Sequence, residues 1–285
     1  MSKVKFDPIT PSIGAYVRVD LDDVLDDGVP ERILEALSEY NVLVFPEINM
    51  SDETYIALNA AMGDVQELYD VAKDEHLGSE QGVYRISLDK DDKTQIEFVK
   101  GNDWWHMDGI IYDTPGKSTM LKCESPPSEG GDTGFASLYA AWEALPEERK
   151  EQLKKLEVVH CMKAVASRLY DAPTEEDYAR WDSIWPDTFR PLVWQQSGGR
   201  VSMLIGSTAD RITGMSDDEG RAILDELYDW ATQDRFTYRH KWKKGDLVMF
   251  NNPGLLHRSY PYDKDAGRVM HRLTLEGTEK IRAAA

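Results

Sequence analysis

Downstream of residue 118 the chain keeps returning to short apolar runs of strand length, with only two helical stretches between them. The runs are Ser118 to Cys123, Glu157 to Met162, Val201 to Ile205, Phe236 to Trp242, Leu247 to Phe250 and Val269 to Leu275. Parallel strands need a long crossover, usually a helix, at every connection. This stretch does not supply them, so its strands are expected to pair antiparallel, as a barrel or sandwich with helices packed outside. One helix opens at Pro146, with Glu147 and Glu148 in its first turn and Lys154 and Lys155 in its last, the polarity that suits a helix dipole. The other carries Ser216 and Glu219 at capping-box spacing and Ile223, Leu224, Leu227 and Trp230 along one stripe.

The first third reads differently. Pro30 suits a first helical position, ahead of Ile33, Leu34 and Leu37 at helical spacing. Val42 to Phe45 predicts a short buried strand. Ser51 then caps a second helix with Tyr55, Leu58 and Met62 on one face, ended by Gly63. No repeat, low-complexity tract or flexible linker divides the sequence. Residues 1–285 are therefore expected to form one domain, mainly β with helical insertions.

The net charge of -19, from 33 basic and 52 acidic residues, sets the chain against nucleic acid and anionic membranes as partners. An anionic small molecule would have to be held locally by particular arginines. The densest apolar run, Val42 to Phe45, is far shorter than the roughly 18 residues a membrane span requires. Met1 to Asp7 contains no apolar segment of the signal-peptide kind. Two cysteines, Cys123 and Cys161, are too few for a disulfide framework and are expected as buried free thiols. Together these readings predict a cytoplasmic protein.

Two of the six histidines stand in chemically useful company. In Trp104-Trp105-His106-Met107-Asp108-Gly109, an extended backbone puts His106 and Asp108 on one face, where an imidazole and a carboxylate can chelate one ion. His257 lies 149 positions after Asp108, beyond the Leu247 to Phe250 strand and an Asn251-Asn252-Pro253-Gly254 turn. Two histidines and one carboxylate leave three positions open on octahedral iron(II), enough for a bidentate cosubstrate and dioxygen. A hydrolytic zinc site needs only one open position, so these three residues alone leave zinc open.

The last apolar run adds two cations. By alternation Arg268, Met270, Arg272 and Thr274 share one face, and Val269, His271, Leu273 and Leu275 the other. The two arginines stand roughly 13 Å apart at about 3.3 Å per residue, so they can grip two different anions. Spacing alone equally allows solvent-facing charges on an edge strand.

Trp105-His106-Met107-Asp108, Gly130-Gly131-Asp132-Thr133, Ala141-Trp142-Glu143-Ala144-Leu145, Trp242-Lys243-Lys244-Gly245-Asp246 and His257-Arg258 with Arg268 together resemble the TauD/TfdA family of taurine and 2,4-dichlorophenoxyacetate dioxygenases. Gly130 to His160, and Arg190-Pro191-Leu192-Val193 through Gly214-Met215, are especially similar to the bacterial aryloxyalkanoate dioxygenases. Val42 to Pro46 and Met62-Gly63 extend the resemblance over nearly the whole chain. It implies a double-stranded β-helix, the jelly roll of the clavaminate synthase-like kind. It implies Fe(II) held by His106, Asp108 and His257, with 2-oxoglutarate as cosubstrate and O2 as oxidant. Thr133 would donate its hydroxyl to the distal carboxylate of 2-oxoglutarate. Arg268, 11 residues after His257, would form the salt bridge to it. Arg272 would hold the anionic head of a small substrate, and a homo-oligomer, dimer or tetramer, is the common assembly. The implied reaction releases succinate and CO2 and hydroxylates a substrate C–H; with Asp108 present, halogenation is not expected.

The sequence departs from the family in three places. Asn251-Asn252-Pro253 stands where Asp-Asn-Arg is frequent, and a histidine expected of taurine enzymes is replaced within Gln66-Glu67-Leu68-Tyr69. Gly109-Ile110-Ile111-Tyr112 follows Asp108 where aryloxyalkanoate enzymes usually carry Ser or Thr. These changes favour a roomy, apolar pocket and disfavour taurine. The expected substrate is an amphipathic carboxylate, sulfonate or sulfate, with Trp104, Ile111 and Tyr112 along its apolar end and Arg85 and Tyr69 as further pocket candidates. Desaturation or a biosynthetic oxidation, a metal-binding jelly roll without oxygenase activity, and a zinc hydrolase remain as alternatives at this stage.

Overall fold

The protein is described here from a computed structural model covering residues 3–66, 69–70, 75–76, 82–88, 99–170 and 172–284. Among the described residues the main sheet has seven strands, in the order Lys5–Pro8, Ala15–Arg18, Val42–Phe45, Leu247–Asn251, Ser118–Ser125, Val269–Leu275 and Tyr84–Ile86. All pairings are antiparallel except that of Ala15–Arg18 with Val42–Phe45. A second sheet places Thr133–Ser137 between Thr237–His240 and Leu255–Ser259, again antiparallel. Side chains of both sheets meet in one apolar layer that includes Leu121, Met270, Phe250, Phe135 and Leu255. Two stacked antiparallel sheets with helices outside are the jelly roll.

The helices cover the outer faces because each is apolar on one side only. Val29–Tyr40 buries Ile33 and Leu37, and Asp52–Met62 buries Tyr55, Leu58 and Met62, against the outer face of the main sheet. Ser51 Oγ accepts the Thr54 amide at 3.2 Å, as a cap should. Asp217–Ala231 sits behind the second sheet with Leu224 and Leu227 buried, and Ser216 and Glu219 form the expected capping box. Filling these layers is worth about 1.5–3 kcal/mol per fully buried large apolar side chain.

The structure moves several expected boundaries. The Glu157 strand stops at His160, and Met162 begins a short helix. The Val201 and Phe236 strands shrink to Val201–Met203 and Thr237–His240, while Ser118–Ser125 runs two residues further than expected. The helix after Pro146 ends at Leu153, so Lys154 caps it and Lys155 lies beyond. Cys123 and Cys161 are buried free thiols. Among the described residues no helix is long and apolar enough to cross a membrane.

The Trp-x-x-Gly-Asp motif proves to be a folding device at its acidic end. Asp246 is buried and accepts from His240 Nε2 at 3.0 Å, from the Lys243 amide at 2.9 Å and from the Glu47 amide at 2.8 Å. One carboxylate thereby fixes the turn that feeds the Leu247–Asn251 strand and ties it to the end of Val42–Phe45. Three donors to a buried carboxylate satisfy it where an unpaired one would be costly.

Candidate active site

His106 and His257 meet because their backbones do. His106 N donates to His257 O at 3.0 Å, and His257 N donates to His106 O at 2.8 Å, a single antiparallel bridge at the edge of the second sheet. The segment around His106 is thus extended, as its His-x-Asp spacing requires, and Asp108 begins the turn that follows. His106 Nε2 lies 3.7 Å from Asp108 Oδ1, and His257 Nε2 lies 3.5 Å from Asp108 Oδ2. The three ligand atoms fall within 4.8 Å of one another. Donors about 2.1 Å from one ion and at right angles stand about 3 Å apart, so small side-chain movements close this set around a metal.

The donors are in the protonation states a metal requires. His106 Nδ1 lies 2.8 Å from Trp104 O, which makes Nδ1 the protonated nitrogen and leaves the Nε2 lone pair toward Asp108. Burial pulls His106 below its ordinary pKa, and burial with the neighbouring His106 takes His257 down to about 3. Burial raises the Asp108 carboxyl, but the Arg272 guanidinium and the two imidazoles outweigh it and hold it at about 2. Two neutral imidazoles and one carboxylate result.

Asn252, which the sequence offered only as part of an altered turn, holds Asp108 in place. It is fully buried; its Oδ1 accepts the Asp108 amide and its Nδ2 donates to Asp108 O, both at 2.9 Å. The same Nδ2 reaches Gly116 O at 3.0 Å. The side chain thus binds both backbone polar groups of Asp108.

A cavity between the sheets opens onto the triad. Its apolar walls include Ile86, Val99, Leu121 and Phe250, and Thr133, Arg268 and Arg272 join the triad on its polar side. Both arginines are buried, which removes the edge-strand alternative: Val269–Leu275 lies inside the sheet, between Ser118–Ser125 and Tyr84–Ile86. The strand begins at Val269 rather than Arg268, with a register irregularity between Val269 and Met270, and the alternation holds from Met270 on. Met270 and Arg272 face the cavity layer, Leu273 and Leu275 pack under the N-terminal helices, and His271 faces outward. Arg272 Nη2 lies 2.8 Å from Asp108 Oδ2. Arg268 Nε donates to Gly131 O at 3.1 Å, its guanidinium stands over the Tyr262 ring, and it has no carboxylate partner among the described residues. A Cβ on Gly131 would approach Arg268 Cδ to 3.0 Å, so the bare glycine lets the arginine lie flat here. Thr133 Oγ1 accepts the Trp242 indole N–H at 2.9 Å.

The expected apolar residues do not join them. Trp104, Ile111 and Tyr112 are absent from the described cavity walls, and Tyr112 is 45% exposed. Gly109 turns the chain at φ 65°, and Ile110 is buried in the core behind the second sheet. Arg190 fixes that turn from outside, donating to Ile110 O at 2.9 Å and Ile111 O at 2.6 Å and pairing with Asp113 at 3.0 Å. Arg85 is exposed and donates to Ser87 Oγ; its neighbour Ile86 faces the cavity instead. The Tyr69 side chain lies outside the described residues.

Known proteins share both sequence and shape with this chain. The family described as "Taurine catabolism dioxygenase TauD, TfdA family" matches residues 5–274. The chain is 33% identical over 277 residues to the (S)-phenoxypropionate/alpha-ketoglutarate-dioxygenase of Sphingobium herbicidovorans, covering 95% of this chain and 94% of that one. It is 31% identical over 277 residues to the alpha-ketoglutarate-dependent 2,4-dichlorophenoxyacetate dioxygenase of Cupriavidus pinatubonensis, covering 94% and 96%. A crystal structure of AAD-2 in complex with Mn(II) and N-oxalylglycine superposes with a TM-score of 0.80 at 28% identity, covering 98% of this chain and 99% of the other. With the triad, the cavity and the jelly roll in agreement with these matches, the chain belongs to the TauD/TfdA family of dioxygenases.

Proposed function

We propose that this dioxygenase hydroxylates a small amphipathic substrate bearing one carboxylate, sulfonate or sulfate, and that Arg272 receives that anion. The enzyme is a non-haem iron(II), 2-oxoglutarate-dependent dioxygenase. The observation that carries the substrate reading is a cavity in an acidic protein whose charged lining, apart from the triad's own carboxylate, is cationic. Buried guanidiniums act there at short range in a low dielectric, so they attract an anion that the overall charge repels.

Each chain residue has a defined task in this reading. His106, Asp108 and His257 would hold iron(II) and leave half its coordination sphere free. Thr133 and Arg268 would fix the distal carboxylate of 2-oxoglutarate, the arginine through charge-assisted hydrogen bonds. When bound, iron(II) with 2-oxoglutarate and O2 supplies the oxidation, in which 2-oxoglutarate becomes succinate and CO2 and a substrate C–H becomes C–OH. The apolar walls keep water out while Arg272 orients the substrate. Where the hydroxylated carbon also bears oxygen or sulfur, the product separates into a carbonyl compound and a leaving group. The relatives named for phenoxypropionate and dichlorophenoxyacetate support a substrate of this kind. A reducing, cytoplasmic setting suits the two buried thiols.

Succinate release measured over a panel of aryloxyalkanoates, alkyl sulfates and sulfonates tests the assignment. The best substrate should depend on added iron(II) and 2-oxoglutarate. Arg272→Ala should raise its KM on the order of 10²-fold, the loss of one charge-assisted pair. Unchanged substrate affinity in that variant, with 2-oxoglutarate turnover still coupled, refutes Arg272 as the anion's partner.

A further inference from the structure

Thr133 has a neighbour that decides which way its hydroxyl works. A hydroxyl carries one hydrogen and two acceptor lone pairs, and its rotation normally lets it serve either role. Here the Trp242 indole, which can only donate, points its N–H at Thr133 Oγ1 from 2.9 Å. Both side chains are buried, and Thr133 Oγ1 has no acceptor among the described residues. With the indole on one lone pair and no acceptor beside it among the described residues, the hydroxyl hydrogen is available to an acceptor in the cavity. Arg268 stands on the same cavity wall, also buried and without a carboxylate partner among the described residues.

Trp242 is itself held firmly. His240, paired with Thr133 across the strands, sets its ring edge-on to the indole at a centroid distance of 4.6 Å. His240 Nε2 is bonded to Asp246 and its Nδ1 to the Tyr238 hydroxyl. The indole thus packs against a ring that is itself fixed to the Asp246 turn. The aromatic and acidic ends of the Trp-x-x-Gly-Asp motif are one connected unit, joined through His240.

We propose that Trp242 is a positioning residue for the cosubstrate: its indole N–H commits the Thr133 hydroxyl to donation and so adapts this end of the cavity to a carboxylate oxygen. The proposal rests on the reading that Thr133 and Arg268 hold the distal carboxylate of 2-oxoglutarate. A cavity end that offers a buried guanidinium and a hydroxyl hydrogen favours an anion there over a neutral group.

Calorimetric titration of the iron(II)-loaded protein without oxygen tests this, with two ligands. One is 2-oxoglutarate; the other is 2-oxopentanoate, which keeps the keto-acid head and chain length but ends in a methyl group. Trp242→Phe keeps the ring and removes the N–H. It should weaken 2-oxoglutarate about three- to tenfold, the worth of one neutral hydrogen bond, and leave 2-oxopentanoate unchanged. Thr133→Val should weaken 2-oxoglutarate about tenfold or more, and adding Trp242→Phe to it should cost nothing further, because the indole acts only through the hydroxyl. Equal weakening of both ligands, additive effects of the two substitutions, or no effect of Trp242→Phe overturns the proposal. Arg268→Met separates the two levels of the argument. If it fails to weaken 2-oxoglutarate selectively, on the order of a hundredfold, the carboxylate assignment itself is wrong, whatever Trp242 does.

Discussion

Neighbouring residues of one strand face two clusters that look alike on paper. On the inner side of Val269–Leu275, Arg272 meets His106, Asp108 and His257; on the outer side, His271 meets Asp52 and Glu124. Each cluster brings three possible metal donors within 4.8 Å. The outer one already has its cation. Lys122, buried among them, contacts Asp52 Oδ1 at 2.5 Å, Glu124 Oε1 at 2.8 Å and Met50 O at 3.2 Å, with its ammonium over the Tyr55 ring. His271 Nδ1, its nitrogen nearest the carboxylates, is bonded to Asp52 at 3.1 Å. The inner cluster also meets a cation, Arg272 at 2.8 Å from Asp108 Oδ2, but it pairs a single carboxylate with two buried imidazoles and has a cavity beside it. Donor count alone does not make a metal site. Buried imidazoles beside a carboxylate, with an open face, fit a metal better than two carboxylates closed over a lysine.

The widest separation between the two faces should come from removing a ligand. Asp108→Ala should abolish stoichiometric iron(II) binding and lower succinate formation on the order of 10³-fold or more. Asp52→Asn with Glu124→Gln should leave iron(II) affinity within about twofold, since the outer cluster shares no partner with the site. Iron lost equally from both variants would show that the two faces are not independent.

A smaller effect tests how the inner face is built. Asn252→Ala leaves every proposed ligand in place but frees the Asp108 backbone, whose amide and carbonyl both lose their partner. Iron(II) affinity should fall about 10- to 100-fold, the usual cost of losing a group that orients a ligand. The fold should persist, because the sheets do not depend on this contact. Wild-type affinity in a folded Asn252→Ala protein would mean that the turn around Gly109 positions Asp108 unaided.

The same two faces show what the sequence could reveal. Period-two alternation was sufficient to sort Arg268 and Arg272 from Leu273 and Leu275, and to put His106 with Asp108. It could not say whether the strand was internal, because that depends on Tyr84–Ile86, three residues that carry no pattern of their own. Ile111 and Tyr112 looked like pocket residues from their nearness to Asp108 in sequence. The left-handed Gly109 and the hold of Arg190, 81 positions downstream of Gly109, turn that segment away from the described walls. Glu157 to Met162 read as one strand because Cys161 and Met162 continue its apolar run, yet the chain bends into a helix there. Asn252 and Trp242 were visible as motif members, but only their partners in space disclose their roles. Local periodicity carries orientation; which strand is covered, and which turn is pinned, are decided by contacts distant in the chain.

The smallest effect concerns acid. Burial raises the Asp52 carboxyl, but hydrogen bonds from Lys122 and His271 outweigh it, so its pKa in the folded protein lies below the ordinary value of 3.8. A depressed carboxyl stabilises the fold at every pH above its unfolded value and loses that contribution as pH falls through its folded value. Asp52→Asn should therefore cost some stability at pH 7 and progressively less below about pH 4, until the two proteins unfold alike. The side chain is 47% exposed, so solvent screening keeps the pH 7 difference below about 1 kcal/mol. Urea unfolding of the metal-free proteins between pH 7 and pH 3 measures it. A difference that grows on acidification would have the opposite sign to a carboxylate held by cations, and no difference at pH 7 would show that Lys122 is satisfied by Glu124 and the Met50 carbonyl alone.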